Sequence, residues 1–180
     1  MNLPNRLTIL RIVLIPFFVF FLLTNYFEYS KWVALIVFTA ASLTDMADGK
    51  IARKKKLVTN FGKFMDPVAD KLLVCSALIC FVDMRRIPTW IVLIIIAREF
   101  IVSGFRLVAS EQGVVLAAGI WGKFKTATQM VMIIVLIADL PGEPVYVIEQ
   151  ILIYASLVLT IFSMIDYLWT NRKLLLNGGI

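Results

Sequence analysis

The sequence predicts an all-α fold, an integral membrane bundle of six transmembrane helices. Three observations predict it. The 180-residue chain is 61% hydrophobic, with a mean hydropathy of +0.90. Its apolar residues form continuous runs, such as Trp90 to Ala97, which suit lipid-embedded helices and not the alternating ten-residue strands of a membrane barrel. Its cations also collect on one side of the alternating spans that hydropathy defines. At about 20 apolar residues per crossing there is room for roughly six spans. The length suits one domain covering residues 1–180.

The first span is expected near 7–27. The preceding Asn2-Leu3-Pro4-Asn5-Arg6-Leu7-Thr8 suits a short interfacial helix leading into it. Arg6 and the apolar run imitate a signal peptide. No small-residue cleavage site follows Leu23, so the segment is read as retained. The second span, near 31–53, ends in Asp45, Asp48 and Gly49, and the basic loop Lys54-Lys55-Lys56 turns the chain back. The third, near 66–84, opens on Asp66 and Asp70 and carries Cys75 and Cys80. These two cysteines read as small packing residues, with no disulfide or zinc pattern around them. The fourth, near 87–108, holds Arg98 and Arg106. The fifth, near 121–140, opens on Lys123 and Lys125. The sixth, near 145–170, contains Asp166, which reads as a packing or surface residue, as does Glu111 in the loop between the fourth and fifth spans.

With the N-terminus inside, fifteen of the eighteen Lys and Arg residues fall on the cytoplasmic side. Only Lys31, Arg85 and Arg86 fall outside. That asymmetry orients the chain with both termini and all four motif aspartates in the cytoplasm. The net charge of +6 is then concentrated on one face, where the anionic inner leaflet or an anionic substrate explains it better than nucleic acid does.

Four aspartates, Asp45, Asp48, Asp66 and Asp70, lie within 26 residues of an otherwise apolar chain. Acids at a membrane are costly and are functional candidates by default. Residues three and four apart share a helix face, so Asp45 pairs with Asp48 and Asp66 with Asp70. Two such pairs make an oxygen-rich cage that stays ionised only with cations in it. The chain contains no histidine. Histidine-based nucleophilic mechanisms are therefore excluded, and a metal site must use oxygen donors, which favours Mg²⁺, Mn²⁺ or Ca²⁺. Two carboxylate pairs fit a two-metal site, and such sites serve diphosphate chemistry by neutralising and aligning the phosphates. Gly49 lets a ligand approach the backbone, Ala52 is small, and Arg53 can pair with phosphate. Plainer readings compete. Asp66 before Pro67 also fits an N-cap with proline at the first helical position. Asp45 and Asp48 could be locked to Lys50 or Arg53, and the lysine run is also a topology signal.

Asp45-x-x-Asp48-Gly49-x-x-Ala52-Arg53, then eight residues, then Gly62-x-x-x-Asp66-x-x-x-Asp70, resembles the CDP-alcohol phosphotransferase signature at all eight fixed positions. The six-span pattern resembles the same family. The resemblance implies cleavage of a CDP-linked diphosphate, release of CMP and transfer of a phospho-group to an alcohol. It further implies that Asp45, Asp48, Asp66 and Asp70 hold two divalent cations, Mg²⁺ or Mn²⁺, with Asp70 also the general base. The CDP moiety would lie on Asp48, Gly49, Ala52, Arg53 and Gly62.

Shorter segments resemble the bacterial phosphatidylglycerophosphate synthase branch of that family. They are Asn5-x-Leu7-Thr8-x-x-Arg11, Ala97-Arg98-Glu99-Phe100 with Ser103-Gly104-Phe105-Arg106, and Gly122-Lys123-x-Lys125-Thr126-x-x-Gln129-Met130. This branch implies CDP-diacylglycerol and sn-glycerol 3-phosphate as substrates, anionic membrane lipid as surroundings, a homodimer, and the bacterial cytoplasmic membrane as location. Arg98 and Arg106 lie about 80° apart around a helix. With Lys123 and Lys125 they are expected to form a cationic pocket for an acceptor that carries its own phosphate. The alternatives are the same chemistry on inositol phosphate or phosphatidylglycerol, the latter a cardiolipin synthase, and, more remotely, a cation carrier. A carrier would spread its acids across the bilayer midplane on broken helices.

Overall fold

The structure, a computed structural model, describes the backbone of residues 3–24, 26–55, 60–111, 114, 116 and 119–172. It describes side chains throughout these except at 3–6, 45–55, 60–64, 66–67 and 111. The described residues form six helices and no strand. These are α1 (Leu3–Leu23), α2 (Ser30–Lys55), α3 (Asn60–Asp83), α4 (Thr89–Glu111), α5 (Ile120–Ala138) and α6 (Glu143–Thr170). α5 and α6 are each long and apolar enough to cross a membrane. The apolar stretches of α1 and α2, Leu7–Leu23 and Ser30–Thr44, are shorter.

Each helix falls where a span was expected, with two differences at the boundaries. α1 begins at Leu3 and runs unbroken to Leu23, so the expected interfacial segment is the first turn of this helix and not a separate element. Pro4 causes no break, because the second helical position has no N–H partner to lose. α3 begins at Asn60, six residues before Asp66, so Asp66 is not an N-cap. Pro67 lies inside the helix, where it withholds one backbone hydrogen bond.

By packing, the chain divides into two compact units, Met1–Arg86 with Leu136–Asp139, and Ile87–Val135 with Leu140–Ile180. In the first, α1 packs against both α2 and α3. Its core joins Ile15, Phe18 and Leu22 of α1 to Ala34, Phe38 and Ala41 of α2 and Ala69, Leu73 and Ala77 of α3. The rings of Phe18 and Phe38 meet at 5.5 Å. The alanines, with their small side chains, let the helix backbones approach closely.

One end of this unit is pinned by Asp139, which follows α5. Lys31 Nζ, at the start of α2, donates to its carbonyl at 3.2 Å. Arg86 Nη1, after α3, donates to its carboxylate at 2.5 Å. The chain leaves α3 through Arg85, which is left-handed with φ 56°. Arg85 N–H donates to Val82 O and Arg86 N–H to Phe81 O, the paired bonds that close a helix C-terminus. The start of α2, the end of α3 and the end of α5 therefore share one end. All three cations assigned to the outer face, Lys31, Arg85 and Arg86, lie there.

In the second unit α4 packs on α6. Val102, Phe105 and Tyr167 form a buried cluster with Leu116 against it. The Phe105 and Tyr167 rings meet edge-on at 5.9 Å, so the C-terminal halves of α4 and α6 lie together. Trp121, at the start of α5, meets Phe162 of α6 at 4.7 Å, so the start of α5 lies against the C-terminal half of α6. The buried face of α6 carries Glu149, Ile153, Ser156, Thr160, Ser163 and Tyr167, recurring every three or four residues as one helical stripe.

Candidate functional site

The aspartate motif is wholly helical. Asp45, Asp48, Gly49, Ala52 and Arg53 lie on α2, and Gly62, Asp66 and Asp70 on α3. At 100° per residue the five α2 positions occupy about 140° of arc and the three α3 positions about 80°. Only four residues, 56–59, separate the end of α2 from the start of α3, and the five steps from Lys55 to Asn60 span at most about 18 Å. At 1.5 Å per residue, Asp48 and Asp66 each lie about 10 Å along their helices from this connector, and Asp45 and Asp70 about 15 Å. The two carboxylate pairs thus stand at matching heights on consecutive helices that touch. The side chains of Asp45, Asp48, Gly49, Ala52, Arg53, Gly62 and Asp66 lie outside the described residues. Asp70 is partly buried, beside fully buried Ala69.

α1 brings further polar groups toward this level. Thr8 and Arg11 are 1% and 2% exposed, although both sit on a largely apolar helix. Thr8 lies about 22 Å from the Leu23 end of α1 and Asp45 about 22 Å from the start of α2, so the buried end of α1 reaches the depth of the aspartates. The Asn5 side chain lies outside the described residues.

A second polar group lies in the other unit. Arg98 Nη1 donates to Glu99 Oε1 at 3.0 Å, and Lys125 Nζ donates to the same oxygen. Arg98 and Lys125 are 7% and 2% exposed. Two cations and one carboxylate leave this buried trio with a formal charge of +1. Arg98 Nε has no hydrogen-bond partner among the described residues, and neither has the amide nitrogen of Gln129, one turn beyond Lys125. Buried donors of this kind ordinarily have acceptors, so the group can take an anion or a hydroxyl oxygen.

The four cations expected to make one acceptor pocket are thus placed differently. Arg98 and Lys125 come together. Arg106 lies two turns further along α4, its guanidinium 5.3 Å over the Tyr167 ring, with Nε unpartnered among the described residues. Lys123 is exposed, because two residues from Lys125 is more than half a helical turn. Sequence reasoning placed Glu99 and Gln129 only within the shorter resemblance segments, with Glu99 otherwise read as pairing elsewhere. A lone carboxylate beside Arg98 in the apolar stretch of α4 was the signal available for Glu99. Asp166 is partly buried near Gly119, where an added Cβ would lie 3.4 Å from its carboxylate.

No group of three or more metal-ligating side chains occurs among the described residues. Asp45, Asp48 and Asp66 lie outside the described side chains. The donor set still fits hard divalent cations, being four carboxylates in helical register and no histidine or thiolate.

The chain matches a family model described as CDP-alcohol phosphatidyltransferase over residues 1–162. It is 40% identical to a CDP-diacylglycerol–glycerol-3-phosphate 3-phosphatidyltransferase of Bacillus subtilis, over 97% of both chains. It is likewise 40% identical to the enzyme of that name from Haemophilus influenzae, over 98% of this chain and 97% of the relative. The enzyme of that name from Pseudomonas fluorescens is 39% identical, over 96% of this chain and 93% of its own.

Proposed function

Because the chain belongs to the CDP-alcohol phosphatidyltransferase family, we propose that it transfers the phosphatidyl group of CDP-diacylglycerol to sn-glycerol 3-phosphate, forming phosphatidylglycerophosphate and CMP. The observation that carries this reading is the near full-length similarity to several enzymes named for that reaction. The matched heights of the aspartate pairs on α2 and α3 supply a physical basis for it.

In this reading Asp45, Asp48, Asp66 and Asp70 hold two divalent cations, Mg²⁺ or Mn²⁺, which neutralise the diphosphate and stabilise the leaving phosphate. Arg53 pairs with the same diphosphate. Gly49, Ala52 and Gly62 leave room for the CDP moiety against the backbone, and Asp48 faces it. Asp70 accepts the proton of the C1 hydroxyl of glycerol 3-phosphate. The alkoxide oxygen bonds to the phosphorus that carries diacylglycerol. The bond from that phosphorus to the CMP oxygen breaks, and CMP leaves with the electron pair. Arg98 and Lys125 hold the phosphate of the acceptor, with Arg106 and Lys123 adding to the field around it. Asn5, Thr8 and Arg11 support the site from α1.

The helices are read as six spans, with both termini and the aspartates on the cytoplasmic side of a bacterial cell membrane, in a homodimer as the family resemblance implies. The placement of exposed aromatics supports this. Tyr26, Tyr29 and Trp32 lie at the end pinned by Asp139. Tyr146 and Trp169 are exposed near the two ends of α6, about 34 Å apart along the helix. Aromatic belts mark the two interfaces of a bilayer whose apolar core is about 30 Å thick.

Purified enzyme with CDP-diacylglycerol tests the reaction class. CMP is expected only when glycerol 3-phosphate and a divalent cation are both present. CMP released at full rate without an alcohol would mean hydrolysis and not transfer.

A further inference from the structure

We infer that Glu99 is a positioning residue for the acceptor. Its carboxylate gathers Arg98 of α4 and Lys125 of α5 into one phosphate-binding pair. The inference rests on the reading that these two cations hold the acceptor phosphate, and adds to it a group that makes no contact with substrate.

Three observations carry it. Arg98 and Lys125 are both more than nine-tenths buried, and buried like charges separate or lose their burial unless a counter-charge sits between them. Glu99 Oε1 is that counter-charge, accepting from Arg98 Nη1 and from Lys125 Nζ. Arg98 keeps a donor to spare. A guanidinium has five N–H groups, and Arg98 Nε has no partner among the described residues. Glu99 therefore holds the two side chains together and leaves Arg98 able to donate to a phosphate.

A carboxylate repels phosphate, so Glu99 cannot serve the acceptor by touching its phosphate. It acts through the geometry of the cations. This gives the test a definite sign. Were Glu99 only a damper on the local charge, removing it would leave a formal +2 and lower the KM for glycerol 3-phosphate. As a positioning residue, its removal raises that KM, because the cations lose their common anchor.

The experiment compares Glu99→Gln, Glu99→Asp, Lys125→Gln and the double variant Glu99→Gln/Lys125→Gln in the full-length enzyme with Mg²⁺. Lys125→Gln is expected to raise the KM for glycerol 3-phosphate about tenfold or more, the loss of one charge-assisted contact. Glu99→Gln is expected to raise it about fivefold to tenfold, with kcat and the KM for CDP-diacylglycerol within about twofold of wild type. Glu99→Asp, which keeps the charge, should recover part of this. In the double variant the two effects should fall short of their product, since both act through Lys125. Inhibition by inorganic phosphate, which carries the recognised group and no alcohol, should weaken in parallel.

If Lys125→Gln raises this KM while Glu99→Gln leaves it unchanged or lowers it, the positioning role is overturned and the acceptor site stands. If Lys125→Gln leaves it unchanged, the acceptor site itself is misplaced. If kcat and both KM values move together in Glu99→Gln, Glu99 is only a structural lock. Should Glu99→Gln not fold, Glu99→Asp decides. A threefold rise in the KM for glycerol 3-phosphate alone is expected, and a wild-type value would overturn the inference.

Discussion

Arg86 Nη1 donates to the carboxylate of Asp139 across a sequence separation of 53 residues, joining the chain after α3 to the chain after α5. This pair fixes the polarity of the first packing unit. Its end is the one where α2 starts, and the aspartate motif lies toward the other. The pair is half in solvent, with side-chain exposures of 24% and 51%, so its energetic worth is small.

Asp139→Asn therefore tests position more than stability. Asparagine tolerates the left-handed backbone that Asp139 adopts, φ 45°. The expected loss of stability is under about 1 kcal/mol, with turnover unchanged. A large drop in activity would place this end of the unit near the chemistry.

The fifteen-to-three split of Lys and Arg between the two sides predicts labelling. Single cysteines at Lys55, Ser110 and Asn177 should react with impermeant reagent only from the cytoplasmic side. Cysteines at Tyr29, Arg85 and Gly142 should react from outside. The opposite pattern would invert the charge-based orientation.

Chelation should abolish activity, and Mg²⁺ or Mn²⁺ should restore it. The motive is the matching heights of the two aspartate positions on α2 and the two on α3, helices that touch, in a chain without histidine. Undiminished turnover in metal-free buffer would remove the two-cation reading.

Asp70→Asn keeps shape and removes the proton acceptor. Turnover should fall by about 10² or more while CDP-diacylglycerol still binds. Near wild-type turnover would place the base elsewhere.

Packing two turns beyond Asp70 gives an independent check. Ala77, on the same face of α3, is fully buried. Ala77→Leu should cost about 1–3 kcal/mol through overpacking, read as a lower thermal midpoint in detergent. An unchanged midpoint would mean that α3 is looser here than its burial implies.

The aspartate motif was legible because its chemistry follows the helical period. Spacings of three and four put Asp45 with Asp48 and Asp66 with Asp70 whatever the tertiary context. The start of α3 was not legible. Asp66-Pro67 carries a strong local start signal, and the helix nonetheless begins at Asn60. The exposure of Lys123 opposite buried Lys125 follows from a two-residue step around a helix, and the sequence held that information. The partner of Lys125 did not show. Glu99 lies 26 residues away on another helix, and no periodicity links them. The family motif named the chemistry, but the acceptor depends on such long-range pairs, which a one-dimensional pattern carries weakly.

The central claim is the identity of the acceptor, and one assay tests it most directly. Purified enzyme with Mg²⁺ and labelled CDP-diacylglycerol is offered sn-glycerol 3-phosphate, glycerol, inositol phosphate and phosphatidylglycerol in separate reactions, and the lipid product of each is identified. Phosphatidylglycerophosphate, formed with release of CMP from glycerol 3-phosphate and in far greater yield than any other product, is the expected result. Preferential labelling of the inositol phosphate or phosphatidylglycerol product, or use of plain glycerol as readily as its phosphate, would contradict the account.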